Sequence, residues 1–421
     1  MYHPKVVDAR LSKLATLQRR KDPTFTFVEH SIDEVENWVA DLDDLWDVEN
    51  QKLRRALKPA EQRFIAHEVL RNKADYRYWL TRYCKVKTKH QTLERVKVWD
   101  SQELILDRVA KAELGSIHGQ TGDGIVLALL KARQLGASTL TESMLSHRAI
   151  FYGNVTALIA AHIPEQAAYL FDMTERIYEN LPWWMRPKLT YHVKDQQMFF
   201  GEQDSLILTA AALSTAGGDS GQRGAMGTGK TLGLVHLSEL ALWQNPYQID
   251  DSLMPSIPES PNTLAIFEST AKGRGNWWHV TWNKATKGLS RLQPVFIPWY
   301  AEPQTYTRPA PADWAPSDVA KVHAINVLED SPRWFGKTIH LTRDQLYWWE
   351  RKRAEYVESN TLNKFLAEYC SKPEEAFQHT TQSVFPQEVL QSLSANARPL
   401  VALAEITPRT HLKDRGEANA L

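Results

Sequence analysis

Hydrophobic and polar positions follow one rhythm up to about residue 95 and another beyond it. In the first part, "SIDEVENWVADLDDLWDVE" (31–49) sets Val35, Trp38, Val39, Leu42 and Leu45 at helical spacing, with the acidic residues between them as a solvated face. Ser31 and Glu34 fit a capping box at its start. Residues 1 to about 23 carry only scattered charge and predict a mobile or loosely docked arm. "LRNKADYRYWLTRYCKVKTKH" (70–90) interleaves Arg71, Lys73, Arg77, Arg82, Lys85 and Lys87 with aromatic residues. That pattern suits either a nucleic-acid backbone or a basic helix packing its aromatics inward.

After residue 95, short apolar runs alternate with helical segments, which predicts a parallel α/β sheet. "GIVLALL" (124–130) reads as a strand and "TLTESMLSHRAIFY" (139–152) as the helix after it. "VTALIAA" (155–161) is the next strand, followed by a helix entered through Pro164. "QMFFGEQDSLILTAA" (197–211) predicts two strands around a short turn. "LGLVHL" (232–237), "TLAIFEST" (263–270) and "PVFIPWY" (294–300) supply further strands. Residues 301–333, with prolines at 303, 309, 311, 316 and 332, predict a surface excursion, and "TRDQLYWWERKRAEY" (342–356) a helix.

Composition changes this picture little. Of 421 residues, 43% are hydrophobic and 24% charged, enough to bury a sizeable core. Lys plus Arg and Asp plus Glu are both 50, so any DNA-binding surface must be local. Cys84 and Cys370 lie far apart, make no metal-binding spacing and suit a reducing compartment. No apolar run is long enough to span a membrane, so a cytosolic protein is expected.

Two loops compete for a nucleotide. "GAMGTGKT" (224–231) matches G-x-x-x-x-G-K-[ST] letter for letter, while "KARQLGAST" (131–139) breaks the pattern at its lysine. A phosphate loop must leave a strand and enter a helix N-terminus, so that backbone N–H groups converge on the phosphates. "KARQLGAST" has that setting; "GAMGTGKT" runs straight into an apolar, strand-like segment and reads as a decoy. The expected nucleotide-binding residues are therefore Lys131, Ala132, Arg133, Gln134, Leu135, Gly136, Ala137, Ser138 and Thr139. Gly136 holds the second glycine position, Ala137 replaces the lysine, and Ser138 keeps the hydroxyl that ligates Mg²⁺. Lys131 or Arg133 is the candidate cation for the β/γ-phosphates of ATP.

"KARQLGAST", "VHLSELALW", "FESTAKGRGNWW", "FIPWY" and "EYCSKPEEAFQHTTQSVF" resemble, in order, the blocks of the ATPase half of phage terminase large subunits, over roughly residues 95 to 386. That family includes members whose phosphate-loop lysine is displaced toward the loop's start, as Lys131 is. The resemblance implies an α/β P-loop NTPase with a mainly parallel central sheet flanked by helices, here with a helical N-terminal region. It also implies an ATP- and Mg²⁺-dependent motor that drives double-stranded DNA through a portal into a procapsid.

Against that pattern, Glu239 after "LGLVHL" is the candidate base for the attacking water, and it stands near Mg²⁺ through water. Ser238 stands where the family usually has an acid, which leaves metal binding to Ser138, the phosphates and water. Ser269 and Thr270 resemble the coupling motif, and Gln102 the adenine-contacting glutamine. Arg223, in the glycine-rich loop, is a candidate arginine finger for a neighbouring subunit's nucleotide, or simply a loop arginine.

Terminases resemble an ATPase followed by a nuclease. The acids after Phe385, namely Glu388, Glu405, Asp414 and Glu417, are too few and too close to the end to build that second fold, so no nuclease activity is expected. The expected organisation is an N-terminal arm or lid (1–94), the motor domain (95–386) and a tail (387–421). The implied partners are duplex DNA, a portal, a small terminase subunit and a homo-oligomeric ring on the portal, with a monomer in solution left open. The implied location is the host cytoplasm. A helicase-like P-loop NTPase and a catalytically silent docking module are the alternatives.

Overall fold

The strand order of the main sheet brings three distant chain segments to one edge. In a computed structural model that describes residues 2–88, 91–117, 124–212 and 229–378, the N-terminal part holds helices α1 (Pro4–Gln18), α2 (Ile32–Asp43), α3 (Pro59–Ala74) and α4 (Tyr76–Arg82). It also holds two small antiparallel hairpins, β1 (Trp46–Asp47) with β2 (Lys52–Leu53) and β3 (Lys85–Lys87) with β4 (Leu93–Arg95). The α/β part follows as α5 (Asp100–Ile117), β5 (Ile125–Lys131), α6 (Ala137–Phe151), β6 (Thr156–Ala161), α7 (Pro164–Glu179), β7 (Tyr191–Val193), β8 (Gln197–Phe200) and β9 (Ser205–Ala211). After it come β10 (Leu234–Leu237), β11 (Leu264–Ser269), α8 (Trp277–Thr286), β12 (Gln293–Ile297), α9 (Asp318–Phe335), α10 (Arg343–Glu358), α11 (Leu362–Glu368) and α12 (Pro373–Ala376).

The sheet runs β12-β5-β11-β10-β6-β9-β8-β7. It is parallel from β12 to β9, and β8 and β7 join antiparallel. Helices α6 and α7 pack on β6, β9 or β10, and α5 and α8 on β5 and β12. This is the mainly parallel, helix-flanked α/β architecture the sequence predicts. Strands β5, β10 and β11 are buried along their whole length, which explains their near-continuous apolar runs. Residues up to Gln378 form one compact unit. Among the described residues, no helix is long and apolar enough to cross a membrane.

The capping box at Ser31 and Glu34 is present: Glu34 N donates to Ser31 Oγ at 3.2 Å, and Ser31 N to Glu34 Oε2 at 2.7 Å. Two expectations change, and one pair of alternatives is decided. The N-terminal arm is a docked helix: Val6, Val7 and Ala15 are buried, and the amides of Tyr2 and His3 donate to Glu113 Oε2 at 2.7 and 3.0 Å. Its anchor lies on α5, more than a hundred residues away, where no local pattern reaches. Half of the proline-rich excursion is helix α9, capped by Ser317 and burying Ala320, His323 and Val327 at helical spacing, with Pro332 near its end. In the basic stretch, Tyr76, Tyr78 and Trp79 are buried, and Arg77 makes a two-pronged pair with Glu103 (both 2.6 Å). The arrangement there is that of a basic helix packing its aromatics inward.

Candidate nucleotide site

β5, β11 and β10 lie side by side, so their carboxyl ends set Lys131, Glu268–Thr270 and Ser238–Glu239 along one edge. In open α/β sheets, ligands bind outside the carboxyl ends of the strands. The chain leaves β5 at Lys131, turns through Gln134 (φ 53°) and Gly136 (φ 71°), and enters α6 at Ala137. α6 has no side-chain cap and no acid in its first turn, so its leading N–H groups are left for an anion. Gly136 is required twice over: its φ is left-handed, and a Cβ there would sit 2.7 Å from Gln102 Nε2.

The loop is braced from two sides. Ser101 Oγ donates to Leu135 O and Gln102 Nε2 to Gly136 O, both at 2.9 Å, while Gln102 Oε1 accepts Trp99 N–H at 3.0 Å. Gln102 thus positions the loop from a buried site, and its amide keeps one N–H and one lone pair for a base. On the other side, the N–H and guanidinium of Arg133 donate to Glu368 O and Oε1, each at 3.0 Å, and Tyr306 OH donates to Arg133 O. Arg133 is therefore held outward, against α11. Ala132, Leu135 and Ala137 are buried, and Thr139 Oγ1 faces Met173 Sδ at 3.9 Å.

Lys131 points the other way, into the acids. It is 7% exposed, and its Nζ stands 3.8 Å from Glu239 Oε1. Burial alone would lower its pKa, but Glu268 and Glu239 outweigh burial and hold it above its ordinary value, so the cation is secure. Of the two cations the loop offered, the buried one faces Glu239, the candidate base. Glu239 follows β10 in a left-handed conformation (φ 53°, ψ 45°), an uncommon state for a non-glycine residue that turns its side chain out of the strand's alternation. Its Oε2 accepts Thr270 Oγ1 at 3.5 Å, and Ser269 Oγ accepts the N–H of Ala241, in the turn after Glu239, at 3.0 Å. Thr270 and Ser269, the candidate coupling residues, thus touch the candidate base and the turn that carries it.

Glu268, the residue before them, is one the sequence reading passed over. Ser138 Oγ donates to its Oε1 at 2.6 Å and Ser238 Oγ to the same oxygen at 3.1 Å. His236 Nε2 lies 3.2 Å from that oxygen, and its Nδ1 is 2.5 Å from Glu142 Oε1. Burial would raise the Glu268 pKa, but Lys131, His236 and Ser138 bring it down to about 2. Burial would lower that of His236, but Glu142 and Glu268 push it up to about 9. The signal was there to read: a Glu in "AIFEST" and a His in "LVHL" interrupt strands buried on both faces, and a buried charge needs partners. Glu268 Oε2 has no hydrogen-bond partner among the described residues, and with the Ser138 hydroxyl it makes an oxygen donor set that fits Mg²⁺.

In "GAMGTGKT", the described end, Gly229–Thr231, is exposed and leads into β10 without a helix. Arg223 lies outside the described residues.

The sequence matches no family model and no curated protein. Among solved structures, the bacteriophage HK97 large terminase superposes with a TM-score of 0.45 at 18% identity, covering 70% of this chain and 53% of that one. The Thermus phage P74-26 large terminase ATPase domain gives 0.37 at 15% identity, covering 66% of this chain and 99% of that domain. A large terminase from a thermophilic bacteriophage, in complex with ATP-gamma-S, gives 0.33 at 11% identity, covering 51% of this chain and 48% of that one. The chain spans about half the length of the HK97 protein and of the thermophilic phage's protein.

Proposed function

We propose that the chain is the ATP-hydrolysing motor of a phage terminase, moving duplex DNA through a portal into a procapsid. The observation that carries this reading is the buried Lys131 ammonium, 3.8 Å from Glu239, at the root of a strand–loop–helix whose helix N-terminus is uncapped. Polyphosphate drawn to the α6 amides competes with Glu239 for Lys131. As Lys131 turns to the phosphates, Glu239 is released to orient and deprotonate the attacking water. Mg²⁺, when bound, neutralises phosphate charge; Ser138 and Glu268 are the groups placed to hold it. Thr270 and Ser269 then register whether Glu239 is engaged and pass that state to the turn at Leu240–Leu242. Coupling to DNA, ring assembly on a portal, pairing with a small subunit and residence in the host cytoplasm belong to this reading through the resemblance of the motif blocks.

The test is phosphate release from ATP with Mg²⁺, with and without duplex DNA. We expect turnover that rises with duplex DNA. No release in either condition leaves a docking module; release accompanied by strand separation makes the chain helicase-like.

A further inference from the structure

We propose that Glu268 is the acid that holds the nucleotide's divalent cation together with Ser138, in place of the acid missing at Ser238; this rests on the nucleotide site proposed above. In P-loop enzymes the cation sits between the loop hydroxyl and a carboxylate at the end of a nearby strand. At the end of β10 that position is Ser238, whose hydroxyl is a poor substitute for an anion. The register pairs Leu237 with Phe267, so the next residues along, Ser238 and Glu268, stand level on neighbouring strands. The carboxylate has moved one strand across, about 4.8 Å, onto β11, which lies between β10 and the β5 strand that leads into the loop. Three contacts fix the result: Ser138 Oγ at 2.6 Å and Ser238 Oγ at 3.1 Å both donate to Oε1, and His236, itself backed by Glu142, stands 3.2 Å behind it. Ser238 has become a donor that steadies the displaced acid.

The second oxygen separates a ligand from a structural ion pair. Glu268 is 0% exposed, and its Oε2 meets no donor among the described residues. A carboxylate taken out of water costs several kcal/mol unless its lone pairs are satisfied. A cation held by Glu268 and the Ser138 hydroxyl would supply the missing partner and leave the Ser238 and His236 contacts in place.

The full chain is titrated with ADP in EDTA, and then with Mn²⁺ at saturating ADP, free Mn²⁺ being counted by its spin-resonance signal. Glu268→Gln should weaken Mn²⁺ binding at least as much as loss of an outer-shell partner does, about 10- to 100-fold, with ADP still bound in EDTA. Adding Ser238→Asp to that variant should recover Mn²⁺ binding, because the acid returns to the usual strand. A folded Glu268→Gln chain with undiminished Mn²⁺ affinity overturns the assignment while the nucleotide site stands. A wild-type chain that fails to bind ADP overturns the site and the assignment together. If Glu268→Gln does not fold, the Glu239→Gln chain, grown with carboxyl-labelled glutamate, should show hyperfine coupling between Mn²⁺ and the labelled carbon. Absence of that coupling overturns the assignment.

Discussion

Two buried glutamates, each with histidine neighbours, are partnered in opposite ways in this protein. Glu68, in α3, and Glu268, in β11, are both 0% exposed. Around Glu68 both carboxylate oxygens have partners. Its Oε1 meets His30 Nδ1 at 2.8 Å and His67 Nδ1 at 3.0 Å and accepts Tyr78 OH at 3.1 Å, while its Oε2 accepts Tyr83 OH at 2.6 Å. His30, His67 and Glu68 bring possible metal ligands within 4.8 Å of one another. But His67 Nε2 accepts the Val28 N–H at 2.8 Å, so its Nδ1 carries the proton and is not free for a metal. Glu268 crowds its donors onto one oxygen and leaves the other without any. A buried carboxylate with donors on both oxygens can hold a fold together; one with an oxygen left without a donor has room for a ligand.

The largest effect should come from the open region. Glu239→Gln is expected to cut turnover about 10²- to 10⁴-fold with ATP affinity retained, measured by phosphate release and calorimetry. Loss of affinity in parallel would make Glu239 a binding or structural group instead.

The closed region should answer in stability. Glu68→Gln leaves a ring of donors facing an amide and is expected to cost about 3 kcal/mol in urea unfolding, with ATP affinity unchanged. A folded variant that loses ATP binding breaks the contrast between the two clusters.

Acid sharpens it further. Burial would raise the Glu68 pKa, but hydrogen bonds from His67, Tyr83 and His30 prevail and hold it below its ordinary 4.5. The stability it contributes is thus present above pH 4.5 and is lost as pH falls through the lower folded value. The urea midpoint of the wild type should therefore drop more steeply from pH 5 to 3 than that of Glu68→Gln; parallel curves would remove Glu68 from the acid response.

The smallest effect is expected at the loop that fits the motif. Lys230 is exposed before a strand, and Lys230→Ala should leave the ATP affinity of the monomer nearly intact, whereas Lys131→Ala should lose most of it. The reverse outcome in calorimetry moves the site to residues 224–231.

Local patterns carried much of this protein. The run "GIVLALL" gave a buried strand, Ser31 and Glu34 a capped helix, and the order of strand, loop and helix picked Lys131 over the literal motif at Lys230, because hydrogen-bond geometry and side-chain period act over a few residues. What depends on distant partners was not legible. The docking of α1 rests on Glu113, the outward pull on Arg133 on Glu368, and the proline-rich stretch hid α9, whose buried face is defined by the residues packed against it. Which acid faces the loop hydroxyl was decided by strand order alone: β11 lies between β5 and β10, and that adjacency sets Glu268 beside Ser138 across 130 residues of chain. The sequence shows which residues carry charge into buried strands, but only the closed sheet fixes the pairs, because a buried charge takes its partner from whatever the fold brings within hydrogen-bonding reach.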